Sequence, residues 1–355
     1  MALPRLLILQ TTGSLVAQHD TTCLRTRYNV RTFRIRFGSP ITQAGNLLHL
    51  TLWLLINLPN AFGVFFRFAD AYAVIPAILC RLLRKKVWIV LGGFDSHWFP
   101  DVQYGVYGSR LRRHCVRYAV RNATALLPVH ESLYDGINSY AFDSPRKTGV
   151  KSLVPNIRGS IVTLYNGFDA EFWAPDSSLS KEPIVVTVAT VPHMSSLAAR
   201  TRMARLKGLH TLTETARLLP ETTFVVIGVD APALPSDLLP LPENVVLTGR
   251  LTLDEVRTWY RRAHVYAHPS LTEGMPNAVA EAMLCECVPI GSNANGTPTL
   301  IGETGFILQH PDPTEWAEAI QSALISEAGP SARRRIIEHF NINNRCTRLA
   351  EIVRP

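Results

Sequence analysis

The chain has 355 residues, 47% hydrophobic and 18% charged; this excludes a disordered chain and exceeds one ordinary core, so two domains are expected. Its net charge of +8 is uneven: residues 1–166 hold 20 Lys+Arg against 7 Asp+Glu, and residues 167–355 hold 16 against 21. A basic half beside an acidic half predicts an anionic contact for the N-terminal half. No recognisable reading motif accompanies the charge, so nucleic acid is not the expected partner.

From the N-terminus, Ala2 to Leu9 reads as a buried first strand rather than a signal peptide. Residues 20–45 give no assignable element. Leu47 to Phe66 is the most apolar segment, broken by His49, Asn57, Pro59 and Asn60. No uninterrupted run approaches the roughly 20 residues of a spanning helix, so a core helix is predicted, with shallow insertion at a membrane surface as the alternative. Lys86 to Leu91 predicts a strand ending at Gly92-Gly93, Arg110 to Asn122 a helix, and Ala125 to Val129 a strand. Arg110, Arg113, Arg117 and Arg121 share one helical face, which is either simply solvated or docks on an anionic membrane or acidic acceptor. Strand Ile161 to Leu164 runs into the turn signal Asn166-Gly167, where the halves join. The expected units are residues 1–166 and 167–330, with C-terminal helices over 331–355. The cysteines, Cys23, Cys80, Cys115, Cys285, Cys287 and Cys346, form no CxxC pair and read as scattered thiols in a reducing cytosol rather than a zinc site.

In the second half, apolar β-branched runs alternate with helical stretches. Strands are predicted at Pro183–Val191, Thr223–Ile227, Asn244–Leu247, Ala263–Ala267 and Cys287–Gly291. Helices are predicted at Leu206–Leu219 and Pro276–Cys285, and two more open at the capping box of Thr252 and Glu255 and at Asp312-Pro313. This alternation means a parallel sheet covered on both faces.

The segment from His268 to Met283 reads strand, loop, helix. Pro276 suits the first helical position. The amides of Gly274, Met275 and Asn277 then lie at a helix N-terminus, which favours an anion such as a diphosphate. Glu281, in the second turn, leans back toward that end. Carboxylates beside an anion site make sense as acceptors for sugar hydroxyls, so the ligand has both phosphate and sugar. His264 and His268 flank the strand and read as structural.

Glu273 and Glu281, with seven residues between them, resemble the EX7E motif of retaining family 4 glycosyltransferases of the GT-B fold. So do Cys285-Glu286-Cys287-Val288-Pro289, Gly302-Glu303-Thr304-Gly305-Phe306, Lys207-Gly208, Gly228, Gly249 and Asn166-Gly167-Phe168-Asp169. The resemblance covers most of residues 160–325, is weaker over 85–140 and poor over 10–70. It implies two Rossmann-like domains whose parallel sheets face each other across a cleft. It places Glu273 at the donor sugar, Glu281 at the ribose, and Gly274, Met275, Pro276 and Asn277 on sugar and phosphate, with Gly228, Gly249 and Arg250 also lining the donor. Lys207 and an arginine would neutralise the diphosphate; Arg202 has the expected spacing, with Arg200 and Arg205 as competitors. Many relatives carry a histidine where this chain has Gly92; Asp95 is then the nearby polar group of the catalytic site, with His97 as a substitute. The implied reaction moves a sugar from a UDP- or GDP-type donor to a glycan, lipid-linked or small-molecule acceptor, with retention and no metal or other cofactor, in the cytoplasm or at the inner membrane face. The rivals are a nucleotide-sugar epimerase and a non-catalytic nucleotide-sugar-binding protein. A nicotinamide dehydrogenase is disfavoured, since no GxGxxG follows a first strand.

Overall fold

The computed structural model describes residues 3–11, 13–36, 38–140, 145–191 and 196–355. The chain divides into two compact units: residues 1–136, 147–167 and 342–355, and residues 137–146 and 168–341. This differs from the expected division in two ways. A short excursion near residue 140 belongs to the second unit, and only the last helix returns to the first.

The first unit runs β1 (Arg5–Gln10), α1 (Leu15–Arg25), β2 (Asn29–Arg34), α2 (Pro40–Asn57), β3 (Gly63–Arg67), α3 (Val74–Leu82), β4 (Lys86–Leu91), α4 (Arg110–Asn122) and β5 (Ala125–Pro128). Short β6 (Gly136–Asn138), β7 (Arg146–Thr148) and α5 (Val150–Leu153) lead to β8 (Ser160–Ile161). The sheet order is β2-β1-β3-β4-β5-β8, with every pair parallel. Helices α2, α3 and α4 pack side by side. They cover Leu7, Val64, Phe66 and Ile89 with Leu50, Leu54, Ala77, Val116 and Val120. The predicted first strand starts later than expected, and Ala2 lies outside the described residues. The predicted core helix over Leu47–Phe66 is corrected. The segment is the second half of α2, a turn and then β3, and α2 is buried on one side only.

The second unit runs β9 (Glu182–Val188), α6 (Leu197–Leu206), α7 (Leu209–Leu218), β10 (Thr223–Ile227), β11 (Val245–Gly249), α8 (Leu253–Arg262), β12 (Ala263–His268), α9 (Asn277–Leu284), β13 (Val288–Ser292), α10 (Thr297–Ile301), β14 (Phe306–Leu308), α11 (Pro313–Leu324) and α12 (Gly329–His339). Its sheet order is β11-β10-β9-β12-β13-β14, again parallel throughout. The capping box at Thr252 forms, and Asp312 caps α11 through the amides of Thr314 and Glu315. The order reverses between β9 and β12, and such a switch point is where open α/β sheets place ligands.

The last helix, α13 (Ile342–Ile352), packs on α1 in the first unit. Asp20 lies between two buried guanidiniums. Arg67 Nη1 reaches it at 2.6 Å and Arg345 Nε at 2.6 Å, all three side chains being at most 6% exposed. Burial alone raises the Asp20 carboxyl, but the two arginines hold it below its ordinary value, so it stays charged. Arg345 also donates to the carbonyls of Leu164 and Tyr165, and Arg67 to Asn166 Oδ1. Beside this cluster Cys23 and Cys346 are joined in a disulfide, with Cα atoms 5.4 Å apart. The expectation that all six cysteines are separate thiols is corrected: their 323-residue separation hid a pair that the helix packing brings together.

Asp20→Ala leaves both guanidiniums buried without their carboxylate. It is expected to cost about 3–5 kcal/mol, read from the urea midpoint of the first unit. An unchanged midpoint would show that the cluster contributes nothing to holding α13.

Candidate active site

The loop from Pro269 to Pro276 links β12 to α9, and other elements take up its carbonyls. Ser292 Oγ donates to the Ser270 carbonyl at 2.6 Å. Asn138 Nδ2 donates to that of Leu271 at 2.9 Å. Asn295 Nδ2 donates to that of Glu273 at 2.8 Å, and the Gly296 amide to that of Gly274 at 3.1 Å. The Leu271 amide in turn donates to the Leu206 carbonyl at 2.8 Å. The loop is thus tied to the α6–α7 joint on one side and the β13–α10 turn on the other.

Gly208 is required at that joint. Its φ is +66°, and a Cβ there would lie 2.1 Å from the Pro269 carbonyl oxygen. This close approach brings Lys207 onto Glu273, with Nζ 2.5 Å from Oε1. Both side chains are about one quarter exposed, at 26% and 23%. Burial raises the Glu273 carboxyl, but Lys207 outweighs it and holds the group below its ordinary value. His268, buried at the end of β12, is pushed down to about 4 by burial and is a neutral imidazole. Its Nε2 has no hydrogen-bond partner, and the charges of Glu273 and Lys207 both reach it.

Glu281 sits in the second turn of α9, as predicted, but Pro276 is the residue before the helix and Asn277 its first. The helix start has no side-chain cap, so its positive end is directed at the loop. No described side chain pairs with the Glu281 carboxylate, and burial raises it to about 7.

The other expected positions fare differently. Gly228 and Gly249 close the ends of β10 and β11 on each other, the Gly228 amide donating to the Gly249 carbonyl at 2.7 Å. Both have positive φ, and their tight approach to Ala189 and Asp230 accounts for glycine there. Arg250 is exposed. Arg200 is turned away, donating to the Pro232 carbonyl. Arg202 lies half-buried on α6, and Arg205 is exposed.

Asp95 is corrected. It is 1% exposed, and its oxygens accept from the amides of Ala69 (2.9 Å), Gly92 (3.0 Å) and Gly93 (3.1 Å) and from the Ser96 hydroxyl (3.2 Å). It holds the turn after β4 rather than facing a substrate. The missing histidine also has a steric cause. A Cβ on Gly92 would lie 1.9 Å from the ring of Phe68, whose own φ is +63°. His97 is fully buried, its ring 5.5 Å from that of Phe99.

The arginine face of α4, read as either solvated or docking, is largely engaged by the chain itself. Arg113, Arg117 and Arg121 donate through Nε to the carbonyls of Tyr107, Leu153 and Pro155. They staple the chain to α4, and of the four only Arg110 is exposed.

Sequence reasoning missed Asn138, Ser292 and Asn295. Asn295 has φ +49° and precedes a glycine. An Asn-Gly turn signal in the neighbourhood of the site was the available clue.

Two units, each built on a six-stranded parallel sheet, define the GT-B class of glycosyltransferase fold. Residues 196–326 match the family model described as "Glycosyl transferases group 1", and this part of the chain is such a domain. The chain is 26% identical over 191 residues to the D-inositol 3-phosphate glycosyltransferase of Mycobacterium sp. (strain JLS), covering 50% of this chain and 42% of that protein. It therefore spans less than half the length of this curated relative. It is 21% identical over 298 residues to Protein CapJ of Staphylococcus aureus, covering 82% of this chain and 71% of that protein. HepE of Anabaena, crystallised with UDP and glucose, superposes with a TM-score of 0.70 at 15% identity, over 98% of this chain and 99% of that one.

The Glu281 carboxyl carries a stability penalty that is absent below its unfolded value near 4.5 and complete once pH passes its folded value of about 7. Glu281→Gln is expected to be more stable than wild type by about 1–3 kcal/mol near pH 8, with no advantage near pH 4. Thermal or urea unfolding at both pH values reads this directly. A glutamine that is no better at the higher pH would mean that the carboxylate is not in a desolvated site.

Proposed function

We propose that this protein transfers a sugar from a UDP- or GDP-sugar to an acceptor, with retention at the anomeric carbon. The observation that carries the reading is the placement of Lys207 on Glu273, with Glu281 one turn from the uncapped start of α9 that the same loop enters. In this reading the diphosphate sits at the α9 N-terminus. Glu281 accepts the ribose hydroxyls, and Glu273 accepts sugar hydroxyls. Lys207 exchanges Glu273 for the phosphate when the donor enters, an arginine of α6 assisting. The bond from the anomeric carbon to the phosphate oxygen breaks, the diphosphate leaves with the electron pair, and the acceptor oxygen attacks from the same face and gives its proton to the departing diphosphate. The cations and the helix amides meet the developing charge, so the reaction calls for no metal.

The acceptor belongs to the first unit. A cavity of about 910 Å³ at the carboxyl ends of β1 and β2 is lined by Gln10, Thr11, Gln18, Arg34, Arg36 and Thr42, and by no acidic residue. Such a lining suits an acceptor bearing phosphate or carboxylate.

The decisive measurement is nucleoside diphosphate release from a panel of UDP- and GDP-sugars by wild type, Glu273→Ala and Lys207→Ala. One donor is expected to be cleaved, with each variant slower by roughly 10²–10³. Donor binding without cleavage, even with acceptors present, would leave a binding protein instead; no binding at all would remove the donor assignment.

Donor affinity should also rise with pH. If only the ionised Glu281 accepts ribose hydroxyls, affinity increases roughly tenfold from about pH 6 to about pH 8. His268 and the buried Tyr260 and Tyr266 do not titrate in that window. Calorimetry with the cleaved donor tests this, and a flat profile would place the ribose elsewhere.

A further inference from the structure

Helix α2 is 18 residues long and carries no charged side chain. Leu50, Leu54 and Asn57 are buried against the sheet. On the opposite side Ile41, Leu48, Leu52, Leu55 and Ile56 are exposed by 86%, 64%, 51%, 51% and 73%. At 100° per residue these five fall on one face. Two opposite faces of α2 are therefore apolar, and apolar helix faces are normally buried, yet the chain covers only one of them. Helix α3 packs beside it and adds Leu82, exposed by 73%, with Leu83 and Ile78.

The charge around this apolar ridge has one sign. Helices α2, α3 and α4 contain no Asp or Glu. Residues 21–94 hold ten Lys+Arg and a single acidic residue, Asp70. Asp70 is neutralised by Arg112, which donates to both its oxygens at 2.7 and 2.6 Å. Arg81 and Arg84, at the end of α3, and Arg110, at the start of α4, are exposed. None of the three has an ion-pair partner among the described residues.

We propose that this helical face docks on an anionic membrane surface, with α2 lying in the interface. The leucines and isoleucines enter the boundary between headgroups and acyl chains, and the guanidiniums bind lipid phosphates. The arrangement does not fit a second copy of the chain, because an isologous contact would set the same arginines against one another. Nor does it fit a span, since no described helix is long and apolar enough to cross a membrane. The surface lies outside the donor site, and the inference does not rest on the proposed transfer reaction.

Co-flotation of the full chain with phosphatidylcholine vesicles, with and without phosphatidylglycerol, tests it. Wild type is expected to float with the anionic vesicles and to be released by salt. Leu52→Gln with Ile56→Gln should weaken binding by roughly tenfold or more, and Arg81→Gln with Arg84→Gln should remove the preference for phosphatidylglycerol. All four side chains are exposed, and unchanged melting would confirm that the variants fold. Failure of wild type to float, or variants that float equally well, would overturn the proposal. So would lipid-free sedimentation showing a wild-type dimer that Leu52→Gln with Ile56→Gln dissolves, since the face would then be covered by a second copy.

Discussion

The second unit's chemistry depends on where the carbonyls of one loop point. Between Ser270 and Gly274, four carbonyls are taken by Ser292, Asn138, Asn295 and Gly296. A loop fixed this way cannot turn its oxygens toward an anion, which they would repel. The same bonds tie together the carboxyl ends of β12 and β13 and the α6–α7 joint, so Lys207 and Glu273 meet because Gly208 lets their backbones approach. Position, rather than a special side-chain type, makes these residues a site.

This explains what the sequence could and could not reveal. The strand, loop and helix from His268 to Met283 are contiguous, so spacing alone placed Glu273 at the loop and Glu281 in the second turn of α9. The groups that hold the loop come from residues 138, 292 and 295, and no local pattern announces a hydrogen bond across 133 positions. In the first unit the local signals misled for identifiable reasons. Asp95 follows two glycines, and their bare amides consume its carboxylate. The α4 arginines had the spacing of a solvated face, but the segment leading into α4 offered a carbonyl to Arg113, and a returning segment offered carbonyls to Arg117 and Arg121. The apolar run beginning at Leu47 looked interior because composition does not say how many sides of a helix are covered.

The first unit has its own organising contact. Asp20 gathers Arg67 from the end of β3 and Arg345 from α13, and the second guanidinium continues to the carbonyls of Leu164 and Tyr165. The chain leaves this unit just after Gly167 and re-enters at Ile342. A Cβ on Gly167 would lie 2.8 Å from the Ile342 Cα, so the two crossings are packed against each other at the edge of the cluster. One carboxylate between two cations leaves excess positive charge in a dry place, and the backbone oxygens complete its solvation. The disulfide from α1 to α13 fastens the same pair of helices.

Both units thus carry buried charge, handled in opposite ways. Around Asp20 each charge is met by a partner, and the result is fixed architecture. At Glu281 no described side chain meets the carboxyl, and desolvation raises it to about 7. A folded chain tolerates such a group only if its neighbours determine its position, and α9 does so through Val279, Ala280, Ala282 and Met283, all fully buried. Replacing the glutamate with an apolar residue would remove the penalty and keep the helix. Its presence on an otherwise well-packed helix, one turn from an uncapped N-terminus, is therefore better explained by what the site receives than by what the fold requires.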